Sequence, residues 1–286
     1  MKILVIVVTY NGLAWVDRCL GSVTGADLLV VDNASSDGTA DRVAARFPEA
    51  VLVRSRENLG FGRANNLGMR YAHEHGYDAV YLLNQDAWLL PDTLERLSAA
   101  MEDHPDYAVL SPLQMQAGGV DYDPLFAAHV LPKAGPLQDG VREVPRVMAA
   151  HWLVSRAAWE KVGFFAPLFP LYSEDDNYCD RVRYHRMKVG IVPAAAAVHD
   201  RAFRVEALDK VVRRNYFMGS LCRLCNINRP LWERMLYVFL FTAVKTVKYR
   251  SLLPFRYFRQ IVGKIHAIRE MRRATAAPGA YLTGEA

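Results

Sequence analysis

Cysteine is sparse in this chain. Four residues of 286, Cys19, Cys179, Cys222 and Cys225, are too few for a disulfide framework, which points to a reducing, cytoplasmic setting. Cys222 and Cys225 stand at the spacing of a redox or zinc pair. No second pair accompanies them and the stretch reads as helix, so plain helix-face thiols are expected. Long apolar runs are missing too, since none reaches the ~18 residues of a membrane span. The apolar start, Met1–Val8, passes directly into Thr9-Tyr10-Asn11-Gly12. With no small-residue cleavage site it reads as a first β-strand, not a signal peptide. Neither G-x-x-x-x-G-K-[ST] nor a G-x-G-x-x-G opening the first helix occurs, which disfavours the usual ATPase and dinucleotide-binding readings. Repeats and low-complexity segments are absent as well.

What is present is ordinary globular composition, 52% apolar and 23% charged, at a length that buries roughly three quarters of the unfolded surface. The charge is uneven. Residues 201–286 carry 17 Lys+Arg against 5 Asp+Glu, whereas the first 200 carry 18 against 25. An acidic globular part followed by a basic tail suggests an anionic partner, a membrane or a nucleic acid. No nucleic-acid-binding motif supports the second.

Strand and helix patterns alternate over the first ~100 residues, the signature of a parallel sheet with crossover helices. Strands are expected at Ile3–Val8, Leu28–Val31, Ala50–Val53 and Ala79–Leu83. Helices are expected at Ala14–Val23, Ser36–Phe47, Gly62–His75 and Pro91–His104, the last with proline in its first turn. Residues 112–146 scatter Pro and Gly among Gln, Asp and Tyr and read as a long loop or irregular β-excursion of the kind that shapes substrate sites. Regular pattern resumes at 147–155, with helices near 156–162 and 174–187 and a strand at 189–198. From about Glu206 the chain reads as helical throughout.

Polar residues gather at the strand ends. The first ends in Thr9-Tyr10-Asn11-Gly12, the second in Asp32-Asn33, and the fourth in Asn84-Gln85-Asp86. The third is followed by Glu57-Asn58-Leu59-Gly60-Phe61-Gly62-Arg63-Ala64-Asn65. Each cluster alone is ordinary turn chemistry, but four on one edge of a parallel sheet are what a nucleotide site needs. Asp32 is placed to accept from a base N–H or a ribose hydroxyl. The Gly60/Gly62 loop admits close backbone approach, with a helix N-terminus behind it that favours phosphate. Asp86 reads either as a turn cap or as a divalent-metal ligand beside a diphosphate. Further on, Glu174-Asp175-Asp176 opens an amphipathic helix. The helix dipole accounts for one or two acids there, and a third leaves room for a general base. His199 follows the last strand and can complete a metal site with Asp86, while Arg201 or Arg204 can neutralise a diphosphate.

Taken in order, Val-Val-Thr-Tyr-Asn-Gly, Val-Asp-Asn-Ala-Ser-Ser-Asp-Gly-Thr, Glu-Asn-Leu-Gly-Phe-Gly-Arg-Ala-Asn-Asn-Leu-Gly, Leu-Asn-Gln-Asp and Ser-Glu-Asp-Asp resemble family-2 glycosyltransferases of the GT-A fold, closest to rhamnosyltransferase-like members. The resemblance implies an α/β fold, a Rossmann-like, mostly parallel central sheet flanked by helices, over 1–205, with a basic helical extension at 206–286. It implies an inverting, metal-dependent hexosyltransferase using Mg²⁺ or Mn²⁺ in bacterial surface polysaccharide synthesis. Its donor would be a dTDP- or UDP-sugar, its acceptor a saccharide or lipid-linked saccharide. By position, Thr9, Tyr10, Asn11, Asp32 and Asn33 would line the nucleotide. Asn58, Gly62, Arg63, Asn65, Asn84, Gln85 and Arg201 would lie near the ribose, sugar and diphosphate. Asp86 and His199 would hold the metal, Asp175 would act as base with Glu174 beside it, and Trp152 and Asp176 would meet the acceptor. Two departures stand out: Asn84 replaces the first Asp of Asp-x-Asp, and Asp-Arg-Ala follows His199. A catalytically degenerate nucleotide-sugar-binding or scaffold protein is the alternative.

In the tail, Trp232, Leu236, Tyr237, Phe239, Leu240 and Val244 form an apolar patch at helical spacing, followed by nine Lys/Arg from Lys245 to Arg273. Two readings stand. One is an interfacial helix on an anionic membrane, at the inner face of the plasma membrane; the other is a helix packed on the catalytic part or on a homodimer partner.

Overall fold

Both faces of the first strands are covered, and this explains why they are apolar at nearly every position. In the computed structural model, which describes residues 1–201 and 208–282, Leu4 and Ile6 of the first strand enter one core while Val5 and Val7 enter another. Helices Gly60–Glu74, Arg156–Lys161 and Glu174–Tyr184 supply the first core. Val16–Gly21, Thr39–Arg46 and Thr93–Asp103 supply the second.

Ten strands make one sheet among the described residues: β1 (Ile3–Thr9), β2 (Asp27–Asp32), β3 (Val51–Arg54), β4 (Ala79–Asn84), β5 (Ala87–Leu89), β6 (Tyr107–Met115), β7 (Leu137–Gln138), β8 (Val141–Glu143), β9 (His151–Ser155) and β10 (Lys188–His199). Their order is β3-β2-β1-β4-β9-β6-β10-β8-β7, and β5 pairs with the end of β10. The first four in space are parallel, so their carboxyl ends share one edge. Beyond β4 the sheet is mixed: β9 runs antiparallel to β4 and β6, and β6 is parallel to β10.

Three expectations change in detail. The helix expected from Pro91 begins at Thr93, because Asp92 adopts a left-handed φ of 62°. Between β4 and that helix lies β5, too short to show a period. Residues 112–146 hold the end of β6, helix Pro124–His129 and the β7–β8 hairpin. The tail is helical as expected, with helices Gly219–Cys225, Leu231–Tyr249, Leu253–Gly263 and Ile265–Ala276 after a π-helical turn at Arg213–Met218. It has its own core around Tyr216, Leu221, Leu224, Ile261 and Ile268, which also takes in Ala166 and Phe169 of the sheet domain. Cys222 and Cys225 are buried thiols within it. The 205/206 boundary and Arg204 lie outside the described residues.

Asn66 ties helix Gly60–Glu74 to the segment leading into the acidic helix. Its side-chain amide accepts from the Phe165 N–H and donates to the Phe165 carbonyl, each at 2.9 Å, and it is buried. Asn66→Ala orphans two buried backbone groups at roughly 1–3 kcal/mol each. Urea unfolding should therefore show a loss of about 2–5 kcal/mol; a loss under about 1 kcal/mol would mean that the segment finds other partners.

Candidate active site

The ends of β1 and β2 are sewn together by their own polar side chains. Thr9 donates from Oγ1 to Asp32 at 3.0 Å, and the Ser35 amide donates to the other Asp32 oxygen at 3.0 Å. Asn11, in a left-handed φ of 49°, accepts from the Ser36 amide. Asn33 accepts from Leu59 N–H and donates to the Gly60 carbonyl, and Asn58 accepts from the Gly60 amide. Thr9, Asp32 and Asn33 are buried, whereas Tyr10 and Asn11 are exposed.

The glycine loop serves packing. Gly60 has φ +77°, and a Cβ there would fall 1.7 Å from the Pro170 carbonyl oxygen; a Cβ on Gly62 would stand 3.1 Å from Phe165. The expectation that these glycines admit a ligand to the backbone is corrected accordingly, since Pro170 and Phe165 occupy that space. Asn65 is also withdrawn from the surface, 1% exposed, donating to the Phe61 carbonyl. Arg63 remains at the rim, 3.6 Å from Glu57.

At the β4 end, Gln85 turns its side-chain amide onto the Tyr10 backbone, accepting from N–H at 2.8 Å and donating to C=O at 3.2 Å. These two bonds position Tyr10. The chain then enters β5, whose Ala87 faces His199 across an antiparallel register, and the Asp200 amide donates to the Asp86 carbonyl at 2.8 Å. This pairing brings Asp86 Oδ1 to 3.5 Å from His199 Nε2. Burial works against ionisation of Asp86, yet His199 and Arg201 hold its carboxyl below the usual range.

Two residues that pattern reading did not single out support His199. Asp123, fully buried, caps helix Pro124–His129 through the Leu125 and Phe126 amides. Its other oxygen accepts from Arg201 Nε at 3.1 Å and stands 3.7 Å from His199 Nδ1. The Asp-Pro start of a short helix was the available signal, inside a stretch dismissed as loop. His151 is the second. Its Nε2 donates to the Val198 carbonyl at 3.0 Å and its Nδ1 accepts from Tyr81 at 2.9 Å. Burial, with His199 nearby, lowers its pKa to about 3, so it is neutral.

The Asp86–His199 spacing bears on a metal. It is too long for a hydrogen bond, but two donors each ~2.1 Å from a common ion stand no more than ~4.2 Å apart. Arg201 Nη2 donates to His199 Nδ1 at 3.3 Å, with Asp123 at 3.7 Å, and a neutral imidazole that accepts at Nδ1 carries its proton on Nε2, towards Asp86. Among the described residues no group of three His, Cys, Asp or Glu gathers to hold a metal ion, so Asp86 and His199 are the two donors this rim offers a divalent cation.

Helix Glu174–Tyr184 starts after two left-handed residues, Tyr172 and Ser173, each with φ 69°. Glu174 is 7% exposed and leaves Oε2 buried without a partner. Burial, then the adjacent Asp175, push its carboxyl up to about 8. Burial and Asp176 also raise Asp175, to about 6, against the Asp176 amide that donates to it at 2.8 Å. Nearby, the Ala150 carbonyl accepts from the Asn84 amide at 3.1 Å at the β4 end. Asp176 stands 3.4 Å from Arg146, which also grips both oxygens of Asp180 at 2.7 Å. Trp152 is corrected: it is fully buried, stacked on Phe165 and packed on Tyr178, so no acceptor reaches it.

A parallel-edged α/β sheet with carboxylates and a histidine at its carboxyl rim has the architecture of the GT-A fold. The chain belongs to glycosyl transferase family 2, whose description matches residues 4–163. Its relatives include a low-salt glycan biosynthesis hexosyltransferase, Agl10, of Haloferax volcanii, 23% identical over 76% of this chain and 74% of the relative. An N-acetylglucosaminyl-diphospho-decaprenol L-rhamnosyltransferase of Mycobacterium tuberculosis is 27% identical over 69% of this chain and 76% of its own. Among solved structures, S. aureus TarS 1-349 in complex with UDP-GlcNAc superposes with a TM-score of 0.62 at 17% identity, covering 96% of this chain and 84% of that one. Mannosyltransferase PcManGT from Pyrobaculum calidifontis, solved with GDP-Man and Mn2+, gives 0.56 at 18% identity over 96% and 73%.

The elevated Glu174 has a measurable consequence. An unfolded Glu ionises near ~4.3 and the folded one near 8, so between these values the folded state holds the extra proton. Stability then falls as pH rises through that window. Glu174→Gln should raise the melting temperature relative to wild type at about pH 8 and leave it near wild type at about pH 4. Equal shifts at both values would count against a buried, protonated Glu174.

Proposed function

We propose that this family-2 enzyme performs an inverting, divalent-metal-assisted hexosyl transfer. The sugar, rhamnose in first place, would pass from a dTDP- or UDP-linked donor to a hydroxyl of a saccharide or lipid-linked saccharide in surface polysaccharide synthesis. The relatives named as rhamnosyl- and hexosyltransferases support the donor sugar, and the decaprenol-linked substrate of one supports a lipid-linked acceptor. Such an acceptor would place the enzyme at the inner face of the plasma membrane. One observation carries the reading: in a chain of this family, the Asp86 carboxylate and the His199 imidazole stand 3.5 Å apart at the carboxyl rim of the sheet.

Each group has a role in this scheme. Asp175, the more readily ionised of the acidic pair, removes the acceptor's proton as its oxygen attacks the anomeric carbon from the face opposite the leaving group. Glu174, protonated at neutral pH, donates a hydrogen bond to a sugar hydroxyl. Asp32 keeps lone pairs beyond its two internal bonds for a base or ribose donor, and Tyr10 and Asn11 flank it. Arg63 and Arg201 add positive charge near the diphosphate. Asp86 and His199 would hold Mg²⁺ or Mn²⁺, which when bound offsets the charge growing on the departing diphosphate. Asn84, which lacks a carboxylate, would leave more of the holding to Asp86 and His199, whose ring Arg201 contacts from its place on Asp123.

Transfer assayed across dTDP- and UDP-sugars with Mn²⁺ tests the reading. Asp175→Asn should cut transfer about 10²–10⁴-fold with donor affinity kept; retention of most activity under saturating donor would exclude it as base. With an ionised Asp175 required, transfer should rise as pH climbs through about 6. His199→Ala should weaken Mn²⁺ affinity, read by titration, at least about 10-fold, and an unchanged affinity would place the metal elsewhere.

A further inference from the structure

Helix Leu231–Tyr249 buries little of itself. Only Val238 and Thr242 are buried along its 19 residues. Its outer side carries Trp232, Leu236, Phe239, Leu240, Val244 and Val247, all between 55% and 78% exposed. At 100° per residue these positions fall within one sector, and from Trp232 to Val247 they run about 22 Å. One acid, Glu233, shares the sector, at the first turn and paired with Arg234 at 3.1 Å. Phe239 meets Phe258 edge-on at 5.9 Å, so the apolar surface continues onto helix Leu253–Gly263, where Phe255 and Val262 are also exposed. So large an uncovered apolar surface marks an interaction face.

Charge identifies the occupant. Residues 231–264 hold seven Lys/Arg and a single acid, Glu233. Lys248, Arg250 and Arg259 are exposed at the C-terminal end of the face. A second copy would meet this surface with the same cations and be repelled, whereas an anionic bilayer complements both halves of it. No helix among the described residues is long and apolar enough to cross a membrane, so the helix lies along the surface. We propose that helices Leu231–Tyr249 and Leu253–Gly263 form a docking face for an anionic lipid bilayer. This deepens the lipid-linked-acceptor reading by naming the surface that brings the enzyme to its substrate. It stands on observations separate from the catalytic site.

Flotation of the full chain with vesicles of equal parts phosphatidylcholine and phosphatidylglycerol, against phosphatidylcholine alone, tests it. Wild type should float with the anionic vesicles. The triple variant Leu236→Gln, Leu240→Gln, Val247→Gln, exposed positions without internal partners, should float at least about tenfold less with melting temperature and donor hydrolysis unchanged. Reversing Lys248, Arg250 and Arg259 to Glu should lower partitioning roughly 100-fold at low salt. Failure of wild type to float, equal flotation by the triple variant, or a dimer in light scattering that the triple variant dissolves would each overturn the proposal. Loss of transfer in vesicle-free assays would bear on the catalytic reading alone.

Discussion

The pairing of β5 with the last three residues of β10 is the contact on which the site depends. Asp86 leaves a parallel strand and would otherwise point from a free loop. Ala87, Trp88 and Leu89 instead lock antiparallel onto His199, Val198 and Ala197, which sets the carboxylate and the imidazole 3.5 Å apart. The same ladder is held from behind, since neutral His151 takes the Val198 carbonyl and Thr93 donates to the Ala196 carbonyl at 2.6 Å. A strand of three residues is weak alone. Here two buried side chains anchor it from a neighbouring strand and a helix start, so the two functional groups stand on rigid backbone rather than on a loop.

Opposite this edge, the acidic helix separates two carboxylates by environment. Glu174 is the less exposed and has an unpartnered oxygen, while Asp175 accepts from the Asp176 amide. Burial raises both carboxyls, and the amide favours the ionised form of Asp175. The third acid, Asp176, adds like charge to both and stands 3.4 Å from Arg146, whose guanidinium is shared with Asp180. That ion pair ties the segment before β9 to the helix.

Much of this was legible from residue pattern because β1, β2 and β4 are buried on both faces and so read as unbroken apolar runs closed by polar residues. What was lost has specific causes. Ala87–Leu89 follows Asp86 too closely to show a period, and Pro112 inside β6 reads as a loop residue. Trp152 and Asn65 were placed at the surface because a position along an element does not reveal which side it faces; register puts Trp152 beside Leu82 in the core. Glycine spacing correctly indicated close approach at Gly60 and Gly62 but not the approaching group, which is Pro170 and Phe165. Asp123 joins His199 across 76 residues, and no local pattern announces such a contact.

The tail follows from the same accounting of faces. A helix whose inner positions reached only Val238 and Thr242 would not hold on a domain by burial alone. Tyr216 bonds Thr242 at 2.6 Å, and aromatic stacking of Tyr216 and Tyr237 on Phe241 adds contact along one side. The remaining apolar side chains, which water leaves unfavourable, contribute nothing to folding in solution. Their placement in one sector, bordered by cations and free of acids after Glu233, is what the proposed contact with an anionic bilayer would use. A helix satisfied by its own domain would carry polar residues there.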